Sequence, residues 1–322
     1  MRVPHTRGEL SAAVIRAFRE PGSPFPTVRV DDPWRDADLQ LALWICYELH
    51  YRGFDEVDPD LADDLDLLAF RRQLEQPWHE ALRDLVPHRS TTHERVPEAL
   101  AELVAADDGP PLASFLQRGA TLEQFREFVV QRSIYHLKEA DPHSLAIPRL
   151  EGQAKAAIIE IQADEYGGGR LSDMHSELFR ATMRALDLDD RYGHFIDQAS
   201  GETLAVNNLI SFFGLHHRWT PALLGHLAAF EMTSSLPNRR YGNGLRRLGF
   251  DQAATRFYDE HVEADAVHEQ IAAHDLCGSY ARQHPTAAAD IVFGAACALA
   301  VEANFGHHLL QRWQAPPASL AS

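Results

Sequence analysis

Residues 36–52 read DADLQLALWICYELHYR, and Leu39, Leu43, Cys46 and Tyr47 recur at the three- and four-residue spacing of one helix face. Gly53 follows as a C-terminal stop. The rhythm returns over 62–85 with Leu65, Leu68, Phe70 and Leu74. Thr121 with Gln124 three residues on forms a capping pattern. It opens a helix expected to run to about Ala140, where Asp141-Pro142 ends it. Further helices are expected at 148–166, 173–186, 203–214, 220–235, 250–275 and 286–313. Gly167-Gly168-Gly169 breaks the first of these, and Pro237 closes the 220–235 segment. Strand-type alternation over five residues, fixed-period repeats and low-complexity tracts are all absent. The fold class is all-α. The polar stretch over 105–111, ending Gly109-Pro110-Pro111, cannot continue a helix. It separates an N-terminal helical extension, 1–110, from a core of 111–322 on which that extension packs.

Composition narrows the function. The 322 residues are 45% hydrophobic and 24% charged, ordinary globular usage that excludes disorder as the main state. Thirty Lys and Arg stand against 47 Asp and Glu, a formal net charge of −17. Nucleic acid and anionic membrane surfaces need clustered positive charge, so neither is expected as a partner. No run approaches the ~18 uninterrupted apolar residues of a membrane span, and the first residues lack the apolar segment of a secretory signal. Cys46, Cys277 and Cys297 are scattered and form no C-x-x-C pair. Such sparse thiols are expected to stay reduced, in the cytoplasm.

Histidine is plentiful, at 18 residues, and one pattern stands out: HVEADAVH over 261–268. At ~100° per residue, His261, Asp265 and His268 share one helix face within about 60°. Two imidazoles and a carboxylate suit iron, manganese or zinc. Composition alone yields this pattern about 0.14 times in such a chain, so a solvated acidic face with two surface histidines is the competing reading. Other acids sit in apolar surroundings, where an unpaired carboxylate is costly. Glu231 lies on an apolar helix, and Glu139 at the end of the 121–140 helix. Glu165 comes just before the glycines, and His175 opens the next helix. Taken singly, Glu139 and Glu165 read equally as terminal surface acids, and Glu231 as a partner for Arg239 or Arg240.

Taken together, Glu139, Glu165-x9-His175, Glu231 and His261-x3-Asp265-x2-His268 resemble the ligand pattern of the haem-oxygenase-like diiron oxidases and oxygenases. The likeness spans about residues 115–315 and includes EIQADEYGGGR and EHVEADAVHE as local text. Residues 1–110 match more loosely, through YELHYRGF (47–54), which reads as helical packing. The resemblance implies a haem-oxygenase-like helical bundle with two Fe(II) ions held by those seven residues. It also implies O2 as co-substrate and no haem, with Glu165 and Asp265 carrying catalysis as well as metal. Four carboxylates offset the +4 of two ferrous ions, whereas a single metal would leave ligands idle.

Members of that family hydroxylate amine nitrogens, or cleave and desaturate carbon chains of amino and fatty acids. Glu165, ten residues before His175, is the extra carboxylate of the amine-oxygenating members, and favours N-oxygenation of a small amine or amino acid. Oxidative C–C cleavage or desaturation at the same site stays open. So do a metal-free relative on the same fold and a non-catalytic iron-binding helical protein. The resemblance further implies a small-molecule substrate and a homodimer, and leaves room for an external electron donor.

Several residues are expected to stand aside. His136 and Glu139 form a helical pair in the order opposite to the Glu-x-x-His of two-metal bundles. Adjacent pairs His216-His217 and His307-His308 diverge on a helix, and Glu48 and His50 point to different faces. Arg149, Lys155, Tyr166, Asn207 and Asn208 are candidates either for the substrate pocket or for orienting the acids.

Overall fold

The computed structural model describes residues 1–86 and 89–314, and among them every regular element is helical. The first 110 residues supply α1 (Glu9–Arg19), α2 (Ala37–Glu48), α3 (Leu65–Leu85) and α4 (Val96–Ala105). Then follow α5 (Leu112–Arg118), α6 (Leu122–His136), α7 (Asp141–Ser144), α8 (Gly152–Glu165) and α9 (His175–Ala185). The chain closes with α10 (Gly201–Leu215), α11 (Thr220–Arg247), α12 (Gln252–Gln270), α13 (Ser279–Gln283) and α14 (Ala288–Gln314). Side-chain caps set the starts of α2, α3, α6, α10 and α12. Asp36 accepts from the Asp38 and Leu39 amides, and both bonds of the Thr121–Gln124 capping box form.

Helix α11 is the axis of the bundle, packed on α12 and α14, with α10 joining α14 to α2. Two glycines make the α11–α14 crossing close. A Cβ on Gly225 would fall 1.8 Å from the Ile291 carbonyl oxygen, and one on Gly294 would fall 1.9 Å from that of Ala222. The segment Pro285–Gln314 is long and apolar enough to cross a bilayer by composition, with a mean hydropathy of 1.6. Its packing against α10 and α11 accounts for that character, as in the central helix of a globular core. Helix α2 departs from the one-faced reading: residues 39–48 are all buried, as befits a helix apolar all round.

Three boundaries differ from expectation. Helix α6 stops at His136, because Ala140 takes a left-handed conformation (φ 72°) at the end of a tight turn. Asp141-Pro142 then opens α7 instead of ending a helix, since proline is tolerated in a first turn. Helix α11 runs through Pro237 to Arg247. Burial of Asn238, Gly242, Gly244 and Leu245 beyond the proline holds the helix together across its missing hydrogen bond. After α12 the helix widens into a π segment, Ile271–Gly278, before α13.

One polar cluster fastens the end of α2 to the turn that follows α6. Glu48, fully buried, accepts from Lys138 Nζ at 3.1 Å and from the Tyr192 hydroxyl at 2.6 Å. Lys138 lies 4.2 Å from the ring centre of Tyr51. Arg52 donates to the Leu137 carbonyl at 3.0 Å and sits 3.6 Å from Asp141. The turn at 137–141 is therefore gripped from α2 and the residues just after it.

Candidate metal centre

Six of the seven expected ligands converge in the interior. Glu139 projects from the clamped turn after α6, where Gln162 also donates to the Ala140 carbonyl at 2.9 Å. Glu165 ends α8, and Gly167, Gly168 and Gly169 all follow with positive φ. A Cβ on Gly167 would fall 2.5 Å from the backbone of Asp173 and Met174. Only glycine lets the chain fold back this tightly, so His175, at the start of α9, returns to face Glu165 with Nδ1 3.2 Å from Oε2. Glu231 comes from α11. His261 and His268, seven residues apart on α12, face the same interior.

The ligand atoms fall into two groups. Glu139, Glu165, His175 and His261 each offer one atom within 4.8 Å of the others, and so do Glu165, Glu231 and His268. Glu165 is common to both. His261 Nε2 lies 3.7 Å from Glu139 Oε1, and His268 Nδ1 lies 3.3 Å from Glu231 Oε2. His261 Nδ1 donates to the Phe257 carbonyl at 2.8 Å, which fixes the ring with Nε2 turned toward Glu139. The Asp265 side chain lies outside the described residues. Glu231 turns toward His268 instead of pairing with Arg239 or Arg240.

Orphaned atoms show that the cluster fits a cation. Glu139 Oε2, Glu165 Oε2, His175 Nδ1 and His268 Nδ1 are buried without a well-aligned hydrogen-bond partner among the described residues. Such groups are costly unless something else satisfies them. Proton affinities tell the same story. Burial alone would raise the Glu139 carboxyl, yet His136 and then His261 hold it well below the usual carboxylate range. Burial would lower His268, but Glu231 and then Asp164 push it up to about 9. His175 is likewise raised, by Glu165 against burial. The buried carboxylates thus favour positive charge beside them, which a metal cation would also supply.

Three participants escaped the sequence reading. His136, set aside for its reversed order, hydrogen-bonds Glu139 Oε1 through Nδ1 at 2.9 Å. Asp164, within the quoted EIQADEYGGGR text, meets His268 Nε2 at 3.0 Å. His143 contacts the buried His226 at 3.1 Å, and burial lowers its pKa to about 4. The His136–Glu139 spacing was a legible signal, while the other two depend on packing. The pocket candidates resolve otherwise. Asn208 binds the Gln40 carbonyl, Asn207 that of Thr203, and Arg149 reaches Thr220. Tyr166 hydrogen-bonds Asp141. Neither these four nor Lys155 line the cavity described next. His216 pairs with Glu75 and His308 with Glu202, as bystanders.

A cavity of about 450 Å³ opens onto the cluster. Glu139, Glu165, Glu231, His261 and His143 form its inner end, and α6, α11 and α14 supply its walls. Asp107, Gly109, Pro110 and Pro111, read from sequence only as a linker, form part of its lining.

Comparison with known proteins bears on the family and the fold. Residues 126–303, over half of the chain and inclusive of all seven expected ligands, match a family described as iron-containing redox enzyme. A nitrosourea synthase from Streptomyces achromogenes subsp. streptozoticus is 28% identical over 149 residues. That stretch covers 46% of this chain and 31% of the synthase, under a third of that protein's length. A domain of unknown function from Shewanella denitrificans, solved as a haem oxygenase-like fold, superposes with a TM-score of 0.51 at 12% identity. The match covers 68% of this chain and 90% of the other, and the bundle described above is haem-oxygenase-like.

Proposed function

The chain belongs to the iron-containing redox enzymes, and from that premise we propose a non-haem diiron oxygenase that N-oxygenates a small amine or amino acid. The observation that carries the reading is Glu165, whose carboxylate belongs to both ligand groups. A carboxylate has two oxygens and about four lone-pair positions, enough to bridge two cations. Two Fe(II) ions held there would supply the electrons for O2 activation. Glu139, His175 and His261 would hold one ion with Glu165, and Glu231 and His268 the other. Asp265 is proposed to complete the second group. His136 fixes the Glu139 carboxylate, and Asp164 orients the His268 ring, as partners behind metal ligands commonly do. The apolar walls around Leu227, Phe230 and Leu299 restrict water near the reacting nitrogen.

The similarity to a nitrosourea synthase supports nitrogen over carbon as the atom oxidised. Three buried, unpaired cysteines accord with a cytoplasmic location, and a homodimer is the proposed assembly. The test is anaerobic Fe(II) loading with iron counted per chain. O2 uptake and product mass are then followed across a panel of amines, amino acids and fatty acids. Two irons per chain and a product with oxygen added at nitrogen are expected. An alkene or chain-shortened product would move the chemistry to carbon, and failure to hold iron would remove the diiron reading.

A further inference from the structure

Helix α6 ends at His136, so Glu139 stands beyond it on a turn, where its amide reaches the His136 carbonyl only at a long 3.4 Å. The same turn holds Ala140 at φ 72°, a left-handed conformation that an alanine side chain resists. A ligand carried on such a segment owes its place to what surrounds the segment. Leu137, Lys138, Ala140 and Asp141 are each tied to distant parts of the chain. Arg52 donates to the Leu137 carbonyl at 3.0 Å, and Gln162 of α8 donates to that of Ala140 at 2.9 Å. Asp141 accepts from the Tyr166 hydroxyl at 2.8 Å and lies 3.6 Å from Arg52. Glu139 is the member of the turn whose side chain joins the ligand cluster.

Lys138 makes the deepest of these ties. Its ammonium is 3.1 Å from the buried Glu48 carboxylate, and 4.2, 5.9 and 6.0 Å from the ring centres of Tyr51, Trp44 and Tyr192. One carboxylate and three aromatic rings thus cage a single cation, and the Tyr192 hydroxyl fixes Glu48 from the other side. A buried ion pair adds little net stability, because desolvating both charges offsets their attraction. Its better-attested use is to specify one geometry. Here the neighbouring side chains at 138 and 139 leave the turn for different destinations, Lys138 for α2 and Glu139 for the cluster.

We infer that Glu48, Lys138 and Arg52 are positioning residues for Glu139, holding its carboxylate where the group of Glu139, Glu165, His175 and His261 needs it. The inference rests on reading Glu139 as a metal ligand. His136 acts on the carboxylate itself, at 2.9 Å, whereas the clamp acts on the backbone beneath it. The sign of the effect separates position from charge. Removing the Lys138 or Arg52 cation would, by charge alone, tighten the binding of a divalent metal nearby, since like charges repel. Loss of position weakens it.

The test needs no turnover. Metal-free protein is titrated with Co(II) against a chelator, and the two binding steps are followed through the visible Co(II) bands. Glu139→Ala identifies the step that depends on Glu139. Lys138→Met and Arg52→Met should weaken that same step by roughly 10–100-fold and leave the other unchanged, with circular dichroism confirming that the bundle persists. Arg52 is 42% exposed, so its variant carries the test even where Lys138→Met does not fold. Phe70→Leu, a core change on α3 at the ring stack with Phe25, is the structural control and should leave both steps alone. Ala140→Gly added to either clamp variant should recover about threefold or more, because glycine takes the left-handed conformation unaided. Unchanged or tighter binding in the clamp variants, equal weakening of both steps, or no recovery with Ala140→Gly overturns the inference. If Glu139→Ala leaves both steps intact, the ligand reading of Glu139 falls first and takes the inference with it.

Discussion

Replacing Lys138 by methionine should be among the most damaging single changes outside the ligand set. Glu48 is 0% and Lys138 2% exposed, so Lys138→Met strands a carboxylate in the interior. Breaking a buried pair from one side costs about 3–5 kcal/mol. The Tyr192 hydroxyl at 2.6 Å and the Arg52 amide at 3.4 Å still reach Glu48, and methionine refills most of the lysine stem. The lower end, about 3 kcal/mol, is therefore expected, more than a hundredfold in the unfolding equilibrium. Glu48→Gln should cost a similar amount, because it leaves an ammonium facing Tyr51 in place of a carboxylate. The double variant should cost less than the sum of the two by at least about 1 kcal/mol, the signature of direct coupling. Urea unfolding of the metal-free protein, followed by circular dichroism, measures all three. A Lys138→Met cost under about 1 kcal/mol, or strictly additive single changes, would refute the reasoning.

Three further outcomes are expected. Glu165→Ala should keep the helical signal but fail to hold two metal ions, because each group loses a member; two tightly bound ions counted by metal analysis would show that Glu165 is not shared. His136→Ala should weaken the metal affinity of the Glu139 group by roughly 10–100-fold, read by Co(II) competition, and unchanged affinity would mean that Glu139 holds its position unaided. Gly225→Ala should cost at least about 1–3 kcal/mol through overpacking, since the new methyl would sit 1.8 Å from the Ile291 carbonyl oxygen; an unchanged urea midpoint would show that α11 and α14 can part.

What was legible in the sequence is what local chemistry dictates. Capping at Thr121 and the glycine run at 167–169 depend on neighbouring residues alone, and both helix edges formed as read. Carboxylates and histidines in apolar company betray themselves because burial without a partner is unfavourable, and six of the expected seven meet in the interior. Asp265 belongs to that same pattern, although its side chain falls outside the described residues. Long-range pairing was not legible. Glu48 finds Lys138 ninety residues away, and nothing near either one announces the other. Pro237 reads as a helix end because the local rule is right about the lost hydrogen bond, and tertiary burial on both sides overrides it. The 105–111 stretch was recognised as non-helical, but its place beside the cavity depends on where α5 docks against α11.

The glycine-mediated contact of α11 with α14 bears on how such a pocket can diversify. Two of the cavity's three walls meet backbone to backbone at Gly225 and Gly294, close to Leu227 and Ala298 in the lining. Those walls have no slack to spread around a bulkier guest. New specificities must therefore be written in the side chains that cover the scaffold, while its spacing is inherited unchanged. A mutagenesis library should accordingly spare positions 222, 225, 291 and 294 and vary 233, 299 and 303, together with the rim at 107–111.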